Sequence, residues 1–264
     1  MKLIESIKKT PIAFDPLLGN ALSDDWAATG ELAEVLKGIG GCSPYLNDIL
    51  RQEQVWISEA ILSKNPLKKI LPSDLGRHPG QTLRQAKRRV AGYLALAELS
   101  GAYTLSETTQ HLTEFADAAV SAAFNSAFNP YRLSGKISSN DNIFVIAMGK
   151  MGAGELNYSS DIDLIIMFDD RNMDQVQSAQ LRQVLVRATR SAIQLLSEVT
   201  EFGYVFRTDL RLRPDPSVTP ICVGMTSALE YYESLGRTWE RAAFIKARVL
   251  SLIHISEPTR RRGI

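Results

Sequence analysis

Histidine and cysteine are scarce in this sequence, with three of the first and two of the second in 264 residues. Cys42 and Cys222 lie far apart and form no Cys-x-x-Cys pair, so neither a disulfide framework nor a thiolate metal site is expected. His78, His111 and His254 are isolated, which excludes the usual zinc spacings. No run of roughly 18 apolar residues occurs, so no membrane-spanning helix is expected. The opening MKLIESIKKTPIAFDPLLG lacks the apolar core of a signal peptide. Surplus charge is lacking too: 30 Lys+Arg balance 29 Asp+Glu. With no global field to attract nucleic acid or an anionic membrane, any phosphate must be bound locally. These absences point to a cytoplasmic protein with neither nucleic acid nor membrane as partner. An apolar fraction of 45% is enough to bury the cores of one large or two modest domains.

Helical signals fill the first half. Ser23-Asp24-Asp25 suits the cap of a helix over 27–37, with Gly38 and Gly40-Gly41 as its stop. Ser43-Pro44 suits the start of the next. A longer helix is expected over 83–99, carrying Arg84, Lys87, Arg88 and Arg89 as a solvated basic face or as a wall over a phosphate site. An alanine-rich helix follows from Leu105 and is expected to stop at Phe128-Asn129-Pro130. The turn-rich YRLSGKISSND marks a boundary. The division expected is a helical region over 1–135 and a catalytic domain over 136–250.

After the boundary, β signals appear. Residues 143–148 (IFVIAM) read as a buried strand, 149–154 as a glycine turn and 161–168 as a second strand. Residues 174–201 carry a helical apolar period, 204–213 a third strand, and 227–234 and 237–250 two more helices. Side chains two apart on a strand share a face, so Asp161 and Asp163 point the same way. Two carboxylates this close repel unless a cation lies between them, and Mg²⁺ takes one or two carboxylates together with substrate phosphate oxygens. On the third strand Arg207, Asp209, Arg211 and Arg213 alternate onto one face, where Asp209 would be a third ligand and Arg211 and Arg213 would meet phosphate charge. Taken singly, each alternation equally describes a half-solvated sheet face with paired charges. GKMGAG alone is no phosphate loop of the G-x-x-x-x-G-K-[ST] kind. The combination is what points to metal and phosphate.

A glycine turn, Asp-x-Asp and a third carboxylate on a later strand resemble the nucleotidyltransferase superfamily. The stretches AMGKMGAGELNYSSDIDLIIMFD, YVFRTDLRLRPDP and ALEYYESLGRTWERAAFIKAR resemble, more specifically, the bacterial glutamine synthetase adenylyltransferase/adenylyl-removing enzymes. Those enzymes carry two related nucleotidyltransferase halves. ELNYSSDIDL is similar to the ELNFSSDIDL of the N-terminal half, and RTDLRLRPDP to alphaproteobacterial members. The resemblance is strong over 83–250 and weaker over 1–82. It implies an α+β fold, a small mixed nucleotidyltransferase-type sheet with flanking helices, preceded by an all-α region. It implies removal of AMP from an adenylylated tyrosine of glutamine synthetase by phosphorolysis, releasing ADP, as part of nitrogen-assimilation control. Asp161, Asp163 and Asp209 would hold Mg²⁺. Gly149, Lys150, Ser159 and Ser160 would line the phosphates, and a PII-type signalling protein would regulate the reaction.

The chemistry of the residues leaves direction open. Phosphate attack and adenylyl transfer from ATP to a protein or small-molecule acceptor both displace at the α-phosphorus, and a non-catalytic nucleotide-sensing module would need similar contacts. Arg241, Lys246 and Arg248 are further candidates for the phosphate, and Trp239 for a buried anchor beneath the site. SLIHISEPTRRRGI breaks the family's style, so 251–264 is expected to be foreign to the domain, which leaves the activity of the fragment itself open.

Overall fold

The computed structural model describes residues 2–138 and 143–251. Six helices come first: α1 (Pro16–Asp25), α2 (Gly30–Cys42), α3 (Pro44–Gln52), α4 (Gln54–Ala60), α5 (Pro79–Leu99) and α6 (Leu105–Leu133). The mixed part runs β1 (Ile143–Ala147), α7 (Gly149–Gly152), β2 (Ile162–Phe168), α8 (Gln175–Ser197), β3 (Thr208–Asp209), β4 (Cys222–Gly224), α9 (Met225–Ser234), α10 (Thr238–Ala243) and β5 (Arg248–Ser251). This is the expected α+β arrangement. Among the described residues, no helix is long and apolar enough to cross a membrane.

Contacts divide the chain into two units. One holds the described residues up to Pro72 with Gln81–Phe115; the other holds Ser73–Gly80 and the chain from Ala116 on. The division therefore falls inside α6, ahead of the boundary expected at 135/136. Helix α6 also runs past Phe128-Asn129-Pro130. A proline removes one backbone donor, and a helix held along its length by buried side chains such as Phe124 and Phe128 survives that loss.

In the first unit the glycines expected to stop a helix lie inside α2. A Cβ on Gly38 would sit 2.0 Å from the Pro11 carbonyl oxygen, and one on Gly41 2.4 Å from that of Asp15. These glycines serve close packing, and packing overrides their weak helix propensity. Ser23–Asp25 lies at the end of α1 and caps nothing; Ala27, at φ 47°, makes the break between α1 and α2. Ser43 does cap α3, accepting from the Leu46 N–H. The basic residues of α5 are not a solvated face. Arg84 and Lys87 are buried, and Arg88 and Arg89 both donate to the carboxylate of Glu53, itself only 4% exposed.

The second unit is built on a five-stranded mixed sheet in the order β3-β2-β1-β5, with β4 also on β2. Antiparallel pairs join β1 to β2 and to β5. On its other edge β2 pairs in parallel with β3 at its start and with β4 at its end. Both faces of β2 are buried from Leu164 to Phe168, which explains the unbroken apolar run LIIMF. Ile165 and Met167 pack with Met148, Val223 and Ala228, and the ring of Tyr232 stands edge-on to Phe244 at 5.0 Å. Helix α8 starts on a capping box, Asp174 accepting from the Gln177 N–H at 2.8 Å while Gln177 accepts from the Asp174 N–H.

Two expected elements differ. The helix over 237–250 ends at Ala243, and its last residues become β5, with Val145 opposite Leu250 and Ala147 opposite Arg248. The open edge of β1 offers that segment a full ladder of backbone partners, which a solvent-facing helical turn does not. The third strand shrinks to Thr208–Asp209, because residues 211–213 turn away.

Helix α7 lies directly against the chain leading into β5. A Cβ on Gly152 would fall 1.8 Å from the Lys246 carbonyl oxygen and 2.6 Å from that of Ala147. Both are backbone atoms, so relief needs a main-chain shift. Gly152→Ala is expected to destabilise the protein by about 1–3 kcal/mol. Urea unfolding measures this, and an unchanged midpoint would contradict the close approach.

Candidate functional site

Three segments meet at one end of the sheet: the turn after β1, the start of β2, and β3. The Met148 N–H donates to the Asp163 carbonyl at 2.9 Å, tying the turn to β2. Across the parallel pair Ile162 faces Thr208 and Asp163 faces Asp209. Parallel neighbours in register send their side chains to the same face, about 4.8 Å apart, so two carboxylates stand side by side.

Gly149 sits against them. Its φ is +55°, and a Cβ there would come within 2.7 Å of the Asp163 Oδ2. Only a residue without a side chain allows the backbone this close to the carboxylate.

Burial raises the Asp163 carboxyl above its ordinary range, and the charges of Asp209 and Asp161 raise it further; Arg211 opposes them. Asp209 goes the other way, held low chiefly by hydrogen bonds from the Arg211 side chain. The Arg211 Nε donates to its Oδ2 at 2.8 Å, and the Arg211 backbone N–H to its Oδ1 at 2.8 Å. Asp161 lies one residue ahead of β2, exposed, and pairs with the Arg207 Nε, while the Arg207 Nη2 donates to the Ser159 carbonyl at 2.9 Å. Two of the three acids are thus engaged by guanidinium groups. Among the described residues no three His, Cys, Asp or Glu side chains gather closely enough to hold an ion as they stand. The mutual repulsion at Asp163, the hard carboxylate oxygens and the side-chain-free Gly149 nonetheless fit a small divalent cation.

The other expected residues divide by what engages them. Lys150 is exposed, and among the described residues nothing holds its ammonium. The Ser160 hydroxyl donates to Asn157 Oδ1 at 2.7 Å and the Ser159 N–H to the same oxygen at 3.2 Å, so both belong to a turn organised by Asn157. Arg213 donates to the carbonyls of Leu210, Pro216 and Thr219 and ties its own loop. Arg241 donates to the Gly236 carbonyl, and Lys246 pairs with Glu155 at 2.9 Å. Arg248 grips Asp117 with both Nη atoms and donates to the carbonyls of Met151 and Gly152. It clamps the glycine turn from below. Trp239 is 53% exposed and anchors nothing; the buried member of Trp239-Glu240-Arg241 is Glu240, which accepts from the Tyr231 hydroxyl and the Arg237 N–H.

Sequence reasoning missed the partners that set this geometry. Arg207 was visible as a face-mate of Asp209, but its pairing with Asp161 crosses 46 residues. Asn157 carried a signal in its position two residues before Ser159, the spacing of a side-chain-to-backbone turn. Nothing in the sequence marks Asp117 as the partner of Arg248.

A sequence profile of the glutamate-ammonia ligase adenylyltransferase family matches residues 34–257, running past the point where the tail was expected to turn foreign; 252–264 lie outside the described residues. Proteins named bifunctional glutamine synthetase adenylyltransferase/adenylyl-removing enzyme are similar over most of the chain. The one from Bradyrhizobium sp. (strain BTAi1 / ATCC BAA-1182) is 40% identical over 241 residues, 84% of this chain and 24% of the relative. The one from Rhizobium meliloti (strain 1021) is 40% identical over 249 residues, 85% of this chain and 25% of the relative. That from Xanthobacter autotrophicus is 38% identical over 232 residues, covering 81% and 23%. The chain thus spans about a quarter of the length of these relatives.

Asp163 offers a stability test. Its folded-state carboxyl titrates above the unfolded one, so between those two values the folded state binds the extra proton and stability falls as pH rises. Above the folded value the full penalty stands. Asp163→Asn removes it and is expected to raise Tm at pH 7, with the gain shrinking as pH falls toward the ordinary aspartate range. A thermal melt series across pH checks this; a lower Tm at pH 7 would mark Asp163 as a structural residue.

Proposed function

The chain belongs to the glutamate-ammonia ligase adenylyltransferase family, and from that premise we propose that its residues 136–250 form a nucleotidyltransferase domain acting on glutamine synthetase. The reaction proposed is phosphorolytic removal of AMP from an adenylylated tyrosine, the work of an adenylyl-removing, N-terminal half. The observation that carries the reading is Asp163 opposite Asp209 on a parallel strand pair, with Gly149 against the carboxylate.

Asp163 and Asp209, with Asp161 joining once Arg207 releases it, would hold Mg²⁺. When bound, that ion neutralises charge developing on the phosphoryl oxygens. The rest falls to the chain's own groups. An oxygen of inorganic phosphate, already ionised at neutral pH, attacks the α-phosphorus. The bond from that phosphorus to the tyrosine oxygen breaks, ADP forms, and the phenolate takes its proton from solvent. No base is needed to activate the nucleophile, so the need is for cations that orient an anion. Lys150 and Arg211 are exposed at the site and suit that role. Arg213, Arg241 and Arg248 instead hold loops, turns and the floor of the site. A PII-type protein as regulator is part of the same proposal.

Incubating the protein with adenylylated glutamine synthetase, phosphate and Mg²⁺ is expected to release ADP. Asp163→Asn should lower the rate by at least about 10²–10³-fold, the usual cost of removing one preorganised electrostatic group. ADP release at the unmodified rate by that variant would defeat the reading.

A further inference from the structure

The two arginines that engage the acids point to more than charge balance. Arg211 takes both oxygens of Asp209: its Nε and Nη2 reach Oδ2, while its backbone N–H and Nε reach Oδ1. Its charge also reaches Asp163 and Asp161, although Asp209 is the acid it grips. Arg207 holds Asp161 through its Nε and the exposed Ser159 carbonyl through its Nη2. Both arginine side chains are well exposed, 83% for Arg211 and 58% for Arg207, so either can swing away without unpacking anything.

We propose that Arg207 and Arg211 are latches that occupy the cation-holding carboxylates and release them when a phosphate oxyanion takes the guanidinium. This rests on the reading of the site as one for a cation and a phosphate. A guanidinium fork fits a phosphate as well as it fits a carboxylate, and two-point binding is lost with a lysine. The cation alone competes with the latch and binds weakly. A phosphate that draws Arg211 off Asp209 leaves the acid free, so each ligand tightens the other. By linkage the coupling is reciprocal. The guanidinium groups keep the acids compensated until then, and the full set of ligands assembles only when cation and phosphate are both present.

The test is Mn²⁺ binding to the 264-residue chain, read by electron paramagnetic resonance or calorimetry with and without inorganic phosphate. Arg211→Ala keeps the backbone N–H bond that orients Asp209, and should bind Mn²⁺ about fivefold more tightly than the native chain, the scale of one exposed ion pair. Arg211→Lys should also tighten binding, because an ammonium cannot fork both oxygens. Phosphate should improve Mn²⁺ binding more in the native chain than in either variant. Arg207→Ala should tighten binding in the same direction.

Equal Mn²⁺ affinity in the native chain and Arg211→Ala would overturn the latch. So would Arg211→Lys matching the native chain while Arg211→Ala tightens, which is a plain charge effect. Asp163→Asn separates the two levels of the argument. Loss of Mn²⁺ binding in that variant keeps the underlying site reading even if the latch fails; undiminished binding defeats the site reading itself.

Discussion

Two carboxylates forced onto neighbouring strands in register is the constraint on which the second unit turns. Asp163 and Asp209 cannot separate without breaking the parallel pair between β2 and β3, and that pair is only two residues long. It is held in place from outside: the Val205 and Phe206 N–H groups both reach the Leu196 carbonyl at the end of α8, and their buried side chains fix the entry to β3. The sheet thus stores an electrostatic cost at one of its ends. Folded proteins keep such costs where chemistry uses them.

The basic residues around that end do two kinds of work. Some are committed to carbonyls or carboxylates that shape the backbone, as Arg213 is to its loop and Arg248 to the glycine turn. Others, Lys150 and the exposed fork of Arg211, lie where an anion can reach them. Sequence alone does not separate the groups, since all are arginines or lysines within or near the same motifs. The distinction is geometric: Arg213 and Arg248 each hold two or more main-chain carbonyls and cannot leave without leaving them unsatisfied, while the Arg211 side chain holds only a carboxylate.

Much of the site could be read ahead of the structure because its signals are local. A glycine turn, an Asp-x-Asp at a strand start and a lone Asp among arginines on a later strand need only the two-residue period of a sheet. What sequence could not supply was pairing. Residues 248–250 lie in a stretch that reads as helix until the open edge of β1 claims them, and the glycines of α2 read as stops until Pro11 and Asp15 pack against them. The basic face of α5 failed for the same reason: Glu53, more than thirty residues earlier, turns a run of charge into a buried ion pair. Tertiary partners override local preference most where the partner is distant in sequence.

The clamp of Arg248 beneath the glycine turn carries a consequence for how the protein is made. The turn at Gly149–Gly152 is contacted from below by a strand encoded about a hundred residues later. During synthesis β1 and β2 emerge first, with the turn already tied to Asp163 through the Met148 N–H but without its contact from below. Only when β5 clears the ribosome and pairs with β1 does the turn gain the Arg248 clamp. Support for the turn is therefore completed last, and a chain halted before residue 248 would hold the named acids without the clamp beneath their glycine turn.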